Sequence, residues 1–299
     1  MRNFVPQVVN MNRNSAAVRY LGSMVIFGTI GLFVRGIPLS SGAIAMVRGF
    51  VGAAFLALVM LVRKQKPALG AVRGELWKLL LSGAMIGFNW ILLFEAYRYT
   101  TVAVATLCYY LCPIFVLLAS PFTSGERLTV KKTCCVLAAL AGMVLVSGVL
   151  NGSVPTRGEL LGVALGIGAA ILYAAITIVS HSIRRTPPYE KTVVQLLTAG
   201  VVLVPYVLIT GTGGTLNAPQ AGLLLLVGIV HTGLAYFLYF GSLPELSIQT
   251  AAICGYIDPI VAVLLSALLL REPMTALMWV GAVLILGAAI VSELPERKK

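Results

Sequence analysis

Charge is what this chain has least of. Ten of its 299 residues are acidic, two are histidine, and the charged types together make up 11% of the sequence. A soluble domain carries about 25% charged residues. With 59% hydrophobic residues and a mean hydropathy of +0.96, such a domain would leave far too much apolar surface in water. The solvent for most of this chain is lipid. No Gly-rich phosphate loop ending in Gly-Lys-Ser/Thr occurs and no nucleotide-binding domain fits, so ATP-driven pumping would need another subunit. His181 and His231 are too few and too separated to build a nucleophile–base pair or a metal cluster, which argues against a membrane-embedded enzyme. Cys108, Cys112, Cys134, Cys135 and Cys254 all fall in apolar runs and read as small apolar residues, not as a disulfide framework or a metal site. Catalytic residues, metal ligands and cofactors are accordingly expected to be absent.

What is present is a set of apolar runs of spanning length, about 20 residues each, at 15–34, 41–62, 76–97, 101–122, 130–149, 158–180, 191–210, 219–240, 247–269 and 275–293. They are continuous instead of alternating at period two, which predicts helices and excludes barrel strands. The polar residues 1–14 read as a cytoplasmic segment ahead of a retained first helix, because no A-x-A-like cleavage site follows the first run.

The second half repeats the first at an offset of 146 residues. Glu126-Arg127-Leu128-Thr129 returns as Glu272-Pro273-Met274-Thr275, Cys108-x-Tyr110-x-x-Pro113-Ile114 as Cys254-x-Tyr256-x-x-Pro259-Ile260, and Gly87 and Phe94 as Gly233 and Phe240. The repeats are 15–149 and 158–293, five helices each. An odd number forces them into the membrane from opposite sides, so the predicted fold is all-α integral membrane, with ten transmembrane helices in two inverted-topology repeats. Placing both termini in the cytoplasm puts seventeen basic residues in inside segments and four outside, with Arg48 in a helix. The net charge of +12 is then a topology signal and not a nucleic-acid-binding surface.

These residues, with Arg48-Gly49-Phe50 and Ala96-Tyr97-Arg98-Tyr99-Thr100, resemble the EamA-type ten-helix transporters of the drug/metabolite transporter superfamily over nearly the whole chain. The resemblance implies a multi-pass secondary transporter of the bacterial inner membrane, in many relatives an exporter of amino acids or other small metabolites. It implies a central cavity between helices 1–4 and 6–9, with helices 5 and 10 at the periphery. Uptake of a small metabolite is the alternative direction, protons are the candidate coupling ion, and a monomer or a homodimer is expected.

Ionisable groups at membrane depth cost about 2.5–3.5 kcal/mol each and need a reason. Arg48 and Glu95 sit at similar depth, either as a buried ion pair or with Arg48 free for a substrate carboxylate, which its planar fork suits. Asp258 precedes Pro259 at the middle of helix 9, where it would bind a cation, an amine or a proton, or simply hold the helix in place. Pro113 and Pro259 are expected to loosen helices 4 and 9 at equivalent points. Tyr110 and Tyr256 beside them, with Asn89, Trp90 and Tyr236, are candidates for the lining of a substrate cavity or for helix packing.

Overall fold

A chain in lipid has to satisfy its peptide groups internally, and a continuous apolar run does so as an α-helix. The computed structural model describes residues 5–65, 68–123, 129–146, 156–246 and 248–294, and these are helical apart from turns and one isolated bridge between Leu39 and Gly213. We number the spans α1 (Val5–Val34), α2 (Ser41–Val62), α3 (Leu76–Tyr99), α4 (Val102–Tyr109 then Cys112–Thr123) and α5 (Val130–Val146). The second half gives α6 (Arg157–His181), α7 (Pro188–Thr210), α8 (Ala218–Gly228, Ile229–Leu234 and Ala235–Ser242 in one run), α9 (Ile248–Gly255 then Ile257–Leu268) and α10 (Ala276–Glu293).

Seven spans are long and apolar enough to cross a bilayer whole, while the second piece of α9 and α10 are shorter. Helix α1 reaches back to Val5, so the polar start continues the first span as helix. The first Glu-Arg-Leu-Thr motif at 126–129, up to its last residue, lies outside the described residues. Helix starts follow their capping chemistry: Ser40 accepts from Ala43 N–H, and Thr156 with Glu159 and Asn217 with Gln220 form reciprocal capping boxes.

The helices pair as two interleaved halves. Helix α3 lies along α6 as α8 lies along α1; α3 meets α7 as α8 meets α2; α1 meets α9 as α6 meets α4. Helices α2 and α7 pack on each other, as do α5 and α10, so each pair maps onto itself when the halves are exchanged. This is the pattern of a pseudo-two-fold axis. The α5–α10 pair is close because each helix offers a glycine to the other: a Cβ on Gly281 would lie 2.6 Å from Gly142 O. The two larger hydrophobic cores mix the two repeats, one built mainly from α1–α3, α7 and α8, the other from α4–α6, α9 and α10.

The loop that leads into α2 and its repeat counterpart that leads into α7 are each tied down at their own face of the bundle. On the Arg35 face, Ser40 N–H donates to Thr212 O at 2.7 Å and Gly214 N–H to Pro38 O at 2.8 Å. The turn needs glycine at 213, where φ is +86° and a Cβ would meet Ser40 N at 2.6 Å. On the opposite face the Glu75 carboxylate accepts the N–H groups of Arg184 (2.9 Å), Arg185 (3.1 Å) and Thr186 (3.0 Å) and the Thr186 hydroxyl (2.8 Å). Residues 38–40 and 184–186 are one repeat apart, so the same loop is held by a backbone ladder at one face and by a carboxylate at the other.

Burial opposes the charge on Glu75, but the Thr186 hydroxyl and the three backbone donors outweigh it and lower its pKa from 4.5 to about 2. A depressed carboxylate contributes stability that is complete above its unfolded pKa and lost as the pH falls through its folded one. The wild-type protein in detergent is therefore expected to keep this contribution down to mild acid and lose it towards pH 2. In Glu75→Gln the thermal midpoint should be lower at neutral pH, and its gap from wild type should close as the pH falls through that window.

Candidate functional site

Both proline-loosened helices break, and the prolines set where. Pro113 cannot donate to Tyr109 O, nor Pro259 to Gly255 O, and the first pieces of α4 and α9 end at those residues. The linking residues have matching backbones, Tyr110 at φ −75°, ψ 7° and Tyr256 at φ −77°, ψ −3°. At the breaks the two repeats meet: the Tyr110 hydroxyl donates to Asp258 Oδ2 at 2.5 Å, and the Tyr110 and Tyr256 rings are 6.3 Å apart. Helix α1 crosses here at Gly28, whose missing side chain makes room for Asp258 O and Val261.

Arg48 is the second charged group at depth, 4% exposed on the face of α2 that packs into the bundle. Its guanidinium lies 3.9 Å above the Trp90 ring and 5.4 Å from Phe94, and Nε donates to Thr232 Oγ1 at 3.0 Å. Of the two arrangements left open for Arg48, the ion pair with Glu95 does not form. Glu95 is one helical turn from Arg98, on the rim of α3, and pairs with it at 3.6 Å. Exposed carboxylates stay in solvent where they can, and an i,i+3 partner lets Glu95 do so. Among the described residues, the contacts of Arg48 are to a hydroxyl and to aromatic faces.

Thr232 belongs to a feature the hydropathy pattern did not reveal, a π-helical turn over Ile229–Leu234. Gly228 directly precedes it and Gly233 lies within it, and a Cβ on either would overlap α2, at Val51 and at Phe55. Five residues apart, these glycines would point well away from each other in an α-helix; the wider turn brings both onto α2. The same turn carries His231, whose Nε2 is 2.8 Å from Thr29 Oγ1 and whose ring packs at a tilt against Phe33, 4.8 Å between centroids. The spacing of Gly228 and Gly233 was the available sequence signal.

Aromatic rings fill the space between the two charges. Tyr97 and Tyr236 lie within electrostatic reach of both Arg48 and Asp258. Tyr236 packs on Phe27 at 5.3 Å, and the Tyr97 hydroxyl is 3.4 Å from that of Thr106. Asn89 donates to Ala169 O at 2.7 Å and accepts from the Tyr109 hydroxyl at 3.3 Å, while Tyr109 stacks on Tyr173 at 5.1 Å. The sequence-predicted residues thus divide. Arg48, Trp90, Tyr110, Tyr236, Tyr256 and Asp258 surround one region, Asn89 braces α3 against α6 beside it, and Glu95 stands apart. Towards the Arg35 face the region is roofed by Ile44, Phe94 and Tyr97, which form the floor of a depression of about 500 Å³ that also borders Arg35 and Arg98. No group of three His, Cys, Asp or Glu residues is placed to hold a metal ion among the described residues.

Two interleaved five-helix halves, with broken helices meeting at their common axis, define a membrane transport protein of the inverted-repeat type. The chain belongs to the EamA-like transporter family, whose model matches residues 15–148 and again 160–293. It is 30% identical over 262 residues to an uncharacterized transporter of Bacillus subtilis (strain 168), covering 87% of this chain and 83% of that protein. It is 26% identical to an uncharacterized transporter of Archaeoglobus fulgidus, over 90% and 93% of the two chains. A protein of Ancylobacter novellus named as an aromatic amino acid exporter is 23% identical over 217 residues, 72% of this chain and 75% of its own. A solved crystal structure matches the fold with a TM-score of 0.66 at 19% identity, over 93% of this chain and 97% of that one.

The Arg48–Thr232 hydrogen bond ties α2 to the π-turn. Thr232→Val keeps the side-chain shape and removes the acceptor, and hydrogen bonds to charged groups contribute about 1.5–3 kcal/mol. Thermal unfolding of the purified variant is expected to show a loss of that size.

Proposed function

We propose that this EamA-family transporter is a secondary-active, alternating-access carrier of the bacterial inner membrane that exports small metabolites, with amino acids as the substrate class. The observation that carries the reading is the pair of opposite charges set apart across an aromatic-lined region. Arg48 has no carboxylate partner among the described residues, and Asp258 takes its hydrogen bond from a tyrosine hydroxyl. A zwitterion fits that arrangement: its carboxylate on the Arg48 fork, its ammonium at Asp258, and its side chain among Trp90, Tyr110, Tyr236 and Tyr256. An aromatic side chain suits such walls, and the relative named as an aromatic amino acid exporter supports the choice.

Orientation follows from the basic residues, which gather on the Glu75 face; on this reading that face and both termini are cytoplasmic. Cargo then enters from the Glu75 face and leaves through the depression at Arg35. Asp258 is the group that exchanges a proton for the ammonium, because a carboxylate at this depth costs too much to be left without such a duty. We assign Asn89 a bracing role and Glu95 no contact with cargo.

Purified protein in liposomes, assayed by counterflow of labelled aromatic amino acids, tests both charges. Arg48→Lys retains the charge and loses the two-pronged contact; its half-saturation concentration should rise about tenfold or more, the equivalent of about 1.5–3 kcal/mol. Unaltered kinetics in Arg48→Ala would remove Arg48 from the binding site. Asp258→Asn retains size and hydrogen bonding and removes titration. It is expected to support counterflow while losing accumulation driven by a pH gradient, and wild-type accumulation by this variant would end the coupling assignment.

A further inference from the structure

Four segments converge at the Arg35 face on one ion pair. The Arg35 guanidinium, at the end of α1, donates to Tyr97 O (3.1 and 2.8 Å) and Thr100 O (2.7 Å), two of the carbonyls that the end of α3 leaves without helical partners. Its remaining arm donates to Glu272, which follows α9. The other oxygen of Glu272 accepts from Val102 N–H at 2.9 Å and from the Ser266 hydroxyl, whose oxygen also takes Ala103 N–H at 3.2 Å. The pair thus satisfies the end of α3 and the beginning of α4 at once, using one group from each repeat. The Glu272 side chain is only 8% exposed.

Inverted repeats make the two gates of a carrier near-copies, so a preference for one state has to come from positions where the repeats differ. Arg35 is such a position. One repeat on stands His181, a shorter side chain without the permanent charge or the five-donor fork of arginine. The carbonyls of Tyr97 and Thr100 have repeat counterparts at Leu243 and Leu246, but the residue that gathers them has been exchanged.

We propose that Arg35–Glu272 is the latch of the gate on the Arg35 face, and that arginine at 35 against histidine at 181 biases the carrier towards the state closed on that face. The inference rests on the alternating-access reading above. In an exporter oriented as proposed, this bias keeps the empty carrier closed to the exterior and ready for cytoplasmic cargo. Opening requires the guanidinium to leave Glu272 and the end of α3 together, so the latch is broken or made as a unit.

Ile44, 1% exposed at the floor of the depression, reports on the gate. The test is maleimide labelling of Ile44→Cys in a background without the five native cysteines, on purified full-length protein in nanodiscs. Both faces are then reachable, so the result does not depend on orientation, and no substrate is needed. Failure of the transport reading would show separately, as absent counterflow in wild type. With Arg35 and Glu272 intact, labelling should be slow. Arg35→Ala and Glu272→Gln should each speed it at least about fivefold, the lower end of ordinary coupling between conformational states. Arg35→Lys should fall between, since an ammonium replaces the charge without spanning the same acceptors. The circular dichroism spectrum and elution profile identify folded variants, and Glu272→Gln keeps the question open to measurement if Arg35→Ala does not fold. Labelling as slow as wild type in folded Glu272→Gln, or in folded Arg35→Ala, would overturn the latch.

Discussion

In hydrocarbon there is no water to accept a peptide group released from a helix, and the whole architecture answers to that constraint. Three kinds of departure from the α-helix among the described residues have a proline, a glycine pair or a charged side chain to account for them. Pro113 and Pro259 interrupt α4 and α9, and the breaks face each other at the common axis, where Tyr110 reaches Asp258. Gly228 before the π-turn of α8 and Gly233 within it let the turn lean on α2, and the turn gives Arg48 its hydroxyl partner. The abrupt passage from α3 to α4 is satisfied by Arg35 and Glu272. Irregular backbone and buried charge therefore occur together.

Duplication supplies these devices in pairs, and divergence between the copies gives each a direction. The broken helices are still equivalent, down to the dihedral angles at Tyr110 and Tyr256. Their chemistry is not: two residues after the linking tyrosine stands Asp258 in α9 and Cys112 in α4. The loop that leads into α2, 38–40, is held by a backbone ladder to the end of α7, whereas its repeat counterpart, 184–186, is held by the single carboxylate of Glu75 at the start of α3. A symmetric frame with unlike fittings at its two ends can favour one access state while keeping the other close in energy.

Interleaving has a consequence for folding as well. Neither repeat encloses a core by itself, because α3 finds its main partners in α6 and α7, and α8 finds its own in α1 and α2. A change in one half is felt across the axis. Gly142 and Gly281 illustrate it at the periphery, where a side chain on either helix would strike the backbone of the other.

The sequence alone determined the membrane environment, the helical class, the duplication and its inversion, because these depend on composition, run length and offset, which are additive along the chain. It also marked Arg48, Tyr110, Tyr256 and Asp258, since charge at membrane depth and a proline repeated at a fixed interval are local signals. What only the tertiary structure decided is partnership. Depth along a helix does not fix rotation about it, so Arg48 and Glu95, similar in depth, were candidates for a pair, yet α2 turns Arg48 onto Trp90 and Thr232 while Glu95 stays on the rim with Arg98. Asn89, polar and deep, bonds Ala169 O of α6 and the Tyr109 hydroxyl of α4, partners that its place in the sequence does not reveal. The π-turn and the Arg35–Glu272 pair were hidden for the same reason: each exists because two segments far apart in sequence approach at one angle, and a linear pattern carries no angles.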